Sequence, residues 1–131
     1  MKKLLLFLLI PLMLCGCTSV EKEEITFSSW GSVSEVKILN RIISDFETEN
    51  PDVKIKFMHI PQNYFQKIHL LFASNTAPDV IFINNLNIPV YEKYLEDLSN
   101  EVNSKDFYSQ SINGLSFEGK LLAVPRDISN V

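Results

Sequence analysis

Cysteine and histidine are both scarce in this chain of 131 residues, which contains two of each. Cys15 and Cys17 are separated only by Gly16, and His59 and His69 stand alone in the sequence. No group of these residues can complete a tetrahedral metal site, and the cysteines do not form a redox pair. We therefore expect no metal and no cofactor, and we expect each histidine to lie at the surface or the edge of the core.

Glycine is also scarce, with four residues, and no glycine-rich phosphate loop occurs. The sequence has no Gly-x-Ser-x-Gly nucleophile elbow and no paired carboxylates at predicted strand ends. These absences disfavour an enzyme. A secreted α/β hydrolase that acts on carbohydrate or ester nevertheless remains an alternative.

Basic residues are fewer than acidic ones, and the formal net charge is −4. Without Lys2 and Lys3 in a removable leader, 10 basic side chains face 16 acidic ones, which gives a formal charge of −6. An acidic surface is unsuited to a polyanion, so we expect no nucleic-acid partner. The hydrophobic content of 46% is sufficient for the core of one domain.

The first residues have the pattern of a secretory leader. A basic start is followed by the apolar run 4–14, which is too short to span a bilayer. The next residues, Leu14-Cys15-Gly16-Cys17, resemble a bacterial lipobox. This resemblance implies a lipoprotein signal peptide over 1–16, lipid on Cys17 and a lipid-anchored tether over 17–24. An ordinary signal peptide that leaves Cys17 free is the alternative.

Folding is predicted to start after the tether. Alternating apolar and small polar residues predict a strand over 25–30, which Gly31 ends. Ser32 and Glu35 form a capping-box pattern at the start of a helix, which the Asn-Pro pair at 50–51 stops. Spacings of three and four residues place one apolar face of this helix on Val36, Leu39, Ile43 and Phe46.

Further strands and helices alternate along the chain. Residues 53–57 predict a second strand and residues 64–74 a second helix. Residues 78–85 include four consecutive apolar residues, which predicts a central strand buried on both faces. This β-α-β-α-β order predicts an α/β fold with an open, mostly parallel sheet. Asn84 and Asn85 would then lie in the ligand crevice, although two asparagines are also able simply to begin a turn.

The remaining pattern is weaker. Residues 89–98 predict a helix, residues 107–115 a short helix, and residues 116–120 a hairpin turn that leads to the apolar run 121–124. The inward face of the first of these helices is predicted to carry Val90, Tyr94, Leu95 and Leu98.

Five motifs occur along the chain in this order and at these spacings: the lipobox, 25–31, 46–55, 77–80 and 119–127. Together they resemble the family 1 bacterial extracellular solute-binding proteins, the receptors of carbohydrate ABC importers. The resemblance implies a periplasmic-binding-protein-like (type II) fold. This chain would supply the first α/β lobe over 25–124 and the start of a hinge crossover over 125–131. The second lobe would be missing, either because the chain is a fragment or because the gene is truncated.

The resemblance further implies a non-enzymatic receptor that is anchored to the membrane by its N-terminal lipid and lies outside the cytoplasm. It would capture a sugar or oligosaccharide between two lobes and deliver it to the transmembrane permease subunits of an ABC import system. An envelope sensor lobe that binds similar sugars is an alternative, because a fold alone does not fix a function.

A sugar site needs flat aromatic rings beside amide, carboxylate and guanidinium groups. Trp30 lies at the carboxyl end of the first strand and is predicted to stack on a sugar, with a core position as its alternative. Gly31 and Ser32 would present backbone N–H groups to the ligand. Tyr64 would offer a ring and a hydroxyl, although a place in the core is the more common use of such a residue.

Asn84 and Asn85 are the next predicted ligand contacts. Arg126 and Asp127 match the Pro-Arg-Asp segment of the family near the hinge, where a guanidinium would form forked hydrogen bonds with sugar hydroxyls. A salt bridge across the hinge is the alternative for this pair. Asp79 is expected to be structural, because it begins its strand at the end opposite the crevice.

Overall fold

The computed structural model describes residues 22–127. The leader, Cys15 and Cys17 therefore lie outside the described residues, as do the last four residues of the chain. The domain boundaries, the signal peptide and the lipidation of Cys17 stay predictions. None of the helices within residues 22–127 is long and apolar enough to cross a membrane.

Three parallel strands form the main sheet in the order β2-β1-β3. They are β1 (Glu23–Ser29), β2 (Val53–His59) and β3 (Val80–Ile81). Together with the helices between them they form the predicted mixed α/β fold with a parallel sheet, so that prediction is confirmed.

The prediction that residues 78–85 form the central strand is wrong. β1 is central, because all seven of its residues pair with β2 on one side and two of them pair with β3 on the other. β3 lies at the edge of the described sheet, and Val80 is 49% exposed. The sequence of an apolar run does not show whether its residues pair with a neighbouring strand or line a groove. Most of this run lines a groove.

Helix α1 (Val33–Glu49) follows β1 and begins with the predicted capping box of Ser32 and Glu35. Three residues of its predicted inward face are half-buried, but the fourth, Phe46, is 41% exposed. No residue of α1 is fully buried. The helix therefore covers the sheet loosely over its length.

Helix α2 (Tyr64–Ala73) packs more deeply on the sheet. Its residues Tyr64 and Ile68 form the buried core together with Ile60 and Tyr91. The helix begins and ends within one residue of the predicted bounds, and it supplies two of the four residues of that buried core.

The region after β3 departs from its predicted single helix. A short helix α3 (Ile88–Tyr91) lies between two 3-10 turns, and the last turn ends at Tyr94. The buried residues are Ile88 and Tyr91, three positions apart, whereas Val90 and Tyr94, which were predicted to face inward, are exposed. The tighter three-residue repeat of the 3-10 turns shifts the apolar face by a fraction of a turn.

The last helix and strands within the described residues are α4 (Ser109–Gly114) and an antiparallel hairpin of β4 (Ser116–Phe117) and β5 (Lys120–Leu121). Glu118 and Gly119, the two residues of the hairpin turn, both have positive φ, at 49° and 82°. This is the backbone conformation that a tight two-residue hairpin requires, and the hairpin prediction is confirmed.

Candidate functional site

A groove of about 840 Å³ opens beside β3. One wall is formed by residues 79–85 and the opposite wall by residues 122–127, with residues of α4 between them. Five of the residues predicted as ligand contacts line this groove: Trp30, Asn84, Asn85, Arg126 and Asp127. The fold thus brings together side chains that are separated by almost 100 positions in the sequence.

Trp30 lies just beyond the carboxyl end of β1 and is half-buried. Its ring is set edge-on against Tyr64 and Phe82, with centroid distances of 4.8 Å and 5.5 Å, and is tilted against Phe65 at 5.5 Å. Such edge-to-face contacts hold a ring in a fixed orientation. Trp30 is therefore both part of the aromatic core and part of the groove wall.

The loop between β1 and α1 turns sharply at Gly31, where φ is 139°. A Cβ atom at this position would lie 3.2 Å from the Cβ and Oε2 atoms of Glu35, so the loop and that side chain leave no room for a larger residue. The carbonyl of Gly31 lies 3.0 Å from Nε2 of His59. The Gly31 peptide is thus fixed from both sides.

The backbone N–H of Ser32 is already used within the protein. It donates to Oε2 of Glu35 at 2.8 Å, and the Ser32 hydroxyl accepts from the Glu35 N–H at 3.3 Å. Neither Gly31 nor Ser32 is among the groove-lining residues. In this conformation the loop supports the groove rather than facing it.

Tyr64 is 6% exposed and also lies away from the groove surface. Its hydroxyl lies 2.9 Å from the Ser28 hydroxyl, donates to the Ser28 carbonyl at 3.2 Å and accepts the Phe82 N–H at 3.0 Å. Burial raises the pKa of this phenol. The position matches the core alternative, and the hydroxyl joins β1 to the chain that leaves β3.

The two asparagines after β3 have different surroundings. Oδ1 of Asn84 accepts from both the backbone and the side-chain nitrogen of Asn87, at 3.1 Å and 2.7 Å. Asn84 therefore caps a 3-10 turn, as the turn-forming alternative would have it, while also lining the groove. Asn85 is exposed.

Arg126 lines the groove and contacts three other side chains. Its guanidinium carbon lies 4.7 Å from the centre of the Phe82 ring, which is a cation–π contact. One of its terminal nitrogens pairs with Oε1 of Glu35 at 3.6 Å, and the same guanidinium binds the neighbouring Asp127. Arg126 and Asp127 thus form an ion pair with each other, with Glu35 as a further partner of the guanidinium, while a salt bridge across the hinge stays a prediction.

Two residues of this arrangement were not among the predicted contacts. Phe82 connects Trp30 to Arg126 through its ring, and Glu35 connects the β1–α1 loop to Arg126. The sequence identified Glu35 as a capping residue only. Strand alternation from Val80 is the signal that would have placed Phe82 on the face opposite to Ile81.

Asp79 has the predicted structural contacts, but the reason given for them is wrong, because the groove extends along β3 and Asp79 also lines it. Its carboxylate accepts from the backbone N–H and the hydroxyl of Thr26, at 2.8 Å and 2.6 Å. These hydrogen bonds, with that of the hydroxyl first, hold the pKa of Asp79 below its usual range. The residue therefore fixes the start of β3 against β1.

A second cavity, of about 370 Å³, lies between β2 and α2. Apolar side chains of Met58, Ile60, Leu70 and Leu71 line it together with Lys67. It lacks the mixture of amides, carboxylates and aromatic rings found in the groove, so the groove is the better candidate site.

Comparison with known proteins identifies the class to which this fold belongs. Residues 30–130 match the family described as bacterial extracellular solute-binding protein. The match covers most of the sequence, and the chain belongs to this family. Membership of an extracellular family assigns the chain to the space outside the cytoplasm.

Solved structures with the same fold agree with this assignment. A periplasmic solute-binding protein from Pectobacterium atrosepticum is 22% identical over 80% of this chain, with a TM-score of 0.74. An ABC substrate-binding protein from Listeria monocytogenes, in complex with cycloalternan, is 27% identical over 76% of the chain, with a TM-score of 0.66. The GacH receptor of Streptomyces glaucescens, described unliganded and with acarbose, is 23% identical over 79%, with a TM-score of 0.73.

The chain spans only 27% to 29% of the length of these three proteins. The similarity thus extends over one α/β lobe. What the complete proteins bind is a property of those proteins, and for this chain it is a basis for a proposal.

Proposed function

We propose that the groove beside β3 is one half of a carbohydrate-binding site, in the substrate-binding component of an ABC import system. The observation that carries the proposal is the meeting of Trp30, Asn85 and Arg126 in one groove. A second lobe would close over the sugar, and the loaded protein would deliver it to the transmembrane permease subunits.

The chemistry of the groove supports a sugar as the ligand. Sugars have apolar C–H faces, which pack on aromatic rings, and rims of hydroxyls, which are both donors and acceptors. The groove offers the rings of Trp30 and Phe82, the amide of Asn85, and the charged groups of Arg126 and Asp127. In this proposal Tyr64, Gly31 and Ser32 hold the site in place instead of touching the sugar.

Relatives with known ligands support the same class. The Listeria protein is recorded with cycloalternan and the Streptomyces receptor with acarbose, and both are oligosaccharides or mimics of them. The ester-hydrolase alternative receives no support from the groove, since its lining within the described residues contains no histidine to activate a nucleophile.

The test is titration calorimetry on the full-length gene product, with cycloalternan, acarbose and maltotriose as probes. At least one probe is expected to bind without being hydrolysed. Trp30→Ala should weaken that binding by about 1 to 3 kcal/mol, because a stacking platform is lost. Tyr108→Ala is the matched control, since Tyr108 is exposed and does not line the groove. Unchanged affinity in a folded Trp30→Ala protein would assign the tryptophan to the core alone.

We also propose that Cys17 carries the lipid that anchors the receptor to the membrane. The basis is the lipobox pattern of residues 14–17 together with membership of an extracellular family. Cys17→Ser should move the protein from the membrane fraction to the soluble fraction of the envelope, while Cys15→Ser should not. Membrane association that persists in Cys17→Ser would contradict the anchor.

A further inference from the structure

We infer that Glu35 is a positioning residue that joins the β1–α1 loop, which supports the groove, to Arg126 in the groove wall, so that the loop and the guanidinium are held as one unit. The inference deepens the proposed function and rests on it.

The two oxygens of the Glu35 carboxylate have different partners. Oε2 accepts the backbone N–H of Ser32 at 2.8 Å, while Oε1 pairs with a terminal nitrogen of Arg126 at 3.6 Å. The first contact fixes the loop that follows Trp30. The second reaches a residue 91 positions further along the chain, on the opposite wall of the groove.

The surrounding atoms leave this carboxylate little freedom. Gly31 is the neighbour against which the Glu35 side chain rests, and a Cβ there would meet Glu35 atoms at 3.2 Å. The Ser32 backbone and hydroxyl, followed by Arg126, lower the pKa of Glu35, so the group stays ionised at neutral pH. An ionised carboxylate that is also hydrogen-bonded to the Ser32 backbone is suited to orient a guanidinium.

The ion pair does not serve stability to a large extent. Both side chains are nearly half exposed, and exposed pairs contribute little to the free energy of folding. Arg126 is, however, also held by the Phe82 ring and by Asp127. Contacts from three different parts of the chain fix the direction in which its remaining N–H groups point, which is what recognition of hydroxyls requires.

The same helix offers a matched control. Glu47, near the other end of α1, also combines a backbone contact with a basic partner: it accepts the Ile55 N–H at 2.8 Å and pairs with Lys54 at 2.8 Å. Both partners belong to β2, and Glu47 does not line the groove. The chemistry is the same at both ends of the helix, and neither glutamate lines the groove, but Arg126, the basic partner of Glu35, does whereas Lys54 does not.

The first experiment needs no ligand. Hydrogen exchange of the Ser32 amide is measured in the full-length protein and in Arg126→Gln. Loss of the guanidinium should loosen Glu35 and speed this exchange about threefold. Lys54→Gln, which removes the basic partner of Glu47, should leave the Ser32 amide unchanged. Equal Ser32 exchange in wild type and Arg126→Gln would overturn the inference.

The second experiment is a double-mutant cycle on affinity, with cycloalternan, acarbose and maltotriose as probes. Glu35→Gln should weaken binding about three- to tenfold, and adding it to Arg126→Gln should cause no further loss, because both act through one contact. Glu47→Gln should bind as wild type does. Equal losses from Glu35→Gln in both backgrounds would overturn the inference.

The two experiments separate the inference from the proposed function. Failure of all three probes to bind the wild-type protein would count against the carbohydrate site, while the exchange of the Ser32 amide would still decide whether Glu35 and Arg126 are joined. Binding of a probe with no effect of Glu35→Gln would leave the carbohydrate site standing and reject the positioning role.

Discussion

The two helices that flank the sheet are held in different ways. α2, with 10 residues, is held by packing, because Ile68 and Tyr64 are buried in the core. α1 is longer, with 17 residues, yet buries none of them fully. Its partly buried apolar face is supplemented by polar contacts at its two ends, through Glu35 at the start and Glu47 near the finish.

The two helices therefore contribute differently: α2 mainly supplies stability, and the ends of α1 mainly determine how its first turn is placed. Apolar burial is non-directional and scales with area, so α2 supplies stability without demanding an accurate orientation. Hydrogen bonds and ion pairs are directional, so α1 is placed accurately at the point where its first turn meets the candidate site. Changes in α2 should therefore lower global stability, while changes at the ends of α1 should mainly disturb local order.

The largest effect is expected from Ile68→Ala in α2. Ile68 has no exposed surface, and truncating a buried isoleucine leaves a cavity that costs about 2 to 5 kcal/mol of unfolding free energy. Leu70→Ala, two positions away on the same helix, is the control, because Leu70 is 66% exposed. Urea unfolding measures both variants, and similar losses would contradict the assignment of stability to the inner face of α2.

An intermediate effect is expected from Gly31→Ala at the start of α1. The residue has φ of 139°, and the added Cβ would meet Glu35. We therefore expect the unfolding free energy, measured by urea unfolding, to fall by about 1 to 3 kcal/mol. Gly119→Ala is the matched control: it also has positive φ, but nothing lies within 4 Å of its added Cβ. A loss in Gly31→Ala no greater than in Gly119→Ala would show that the contact with Glu35 is unimportant.

The smallest effect is expected from Glu47→Gln near the end of α1, and it should depend on pH. The Lys54 side chain, followed by the Ile55 N–H, lowers the pKa of Glu47 in the folded protein. A carboxyl with a depressed folded pKa contributes stability above its unfolded pKa and loses it as pH falls. Wild type should therefore be slightly more stable than Glu47→Gln at pH 7; the difference should shrink as pH falls below the ordinary glutamate pKa of about 4.3 and vanish below the lowered folded pKa. A difference that is constant with pH would contradict this role.

Local patterns predicted most of the fold. The capping box of Ser32 and Glu35, the apolar repeat of α2 and the hairpin turn before Lys120 each depend on residues close in sequence, and each is present. The sheet order was not predictable in this way. Strand order depends on which strands pair, and the apolar run around Val80 carries no mark of whether it is an edge or a centre.

The candidate site was predicted only in part, because local patterns identify the residues that follow strand ends but not the contacts between distant residues. Trp30 and Asn85 follow strand ends, a position that the α/β rule connects with ligands, and they do line the groove. The roles of Glu35 and Phe82 arise from contacts with Arg126, more than 40 residues away from either. Such contacts exist only once the chain is folded, and no local sequence pattern predicts them.

The most direct test of the carbohydrate site is a crystal structure of the full-length protein with cycloalternan, acarbose or maltotriose bound. The account predicts a sugar ring against Trp30 and sugar hydroxyls within hydrogen-bond distance of Arg126, with the ion pair of Arg126 and Glu35 intact. A sugar bound elsewhere, for example in the cavity between β2 and α2, with no contact to Trp30 or Arg126, would contradict it.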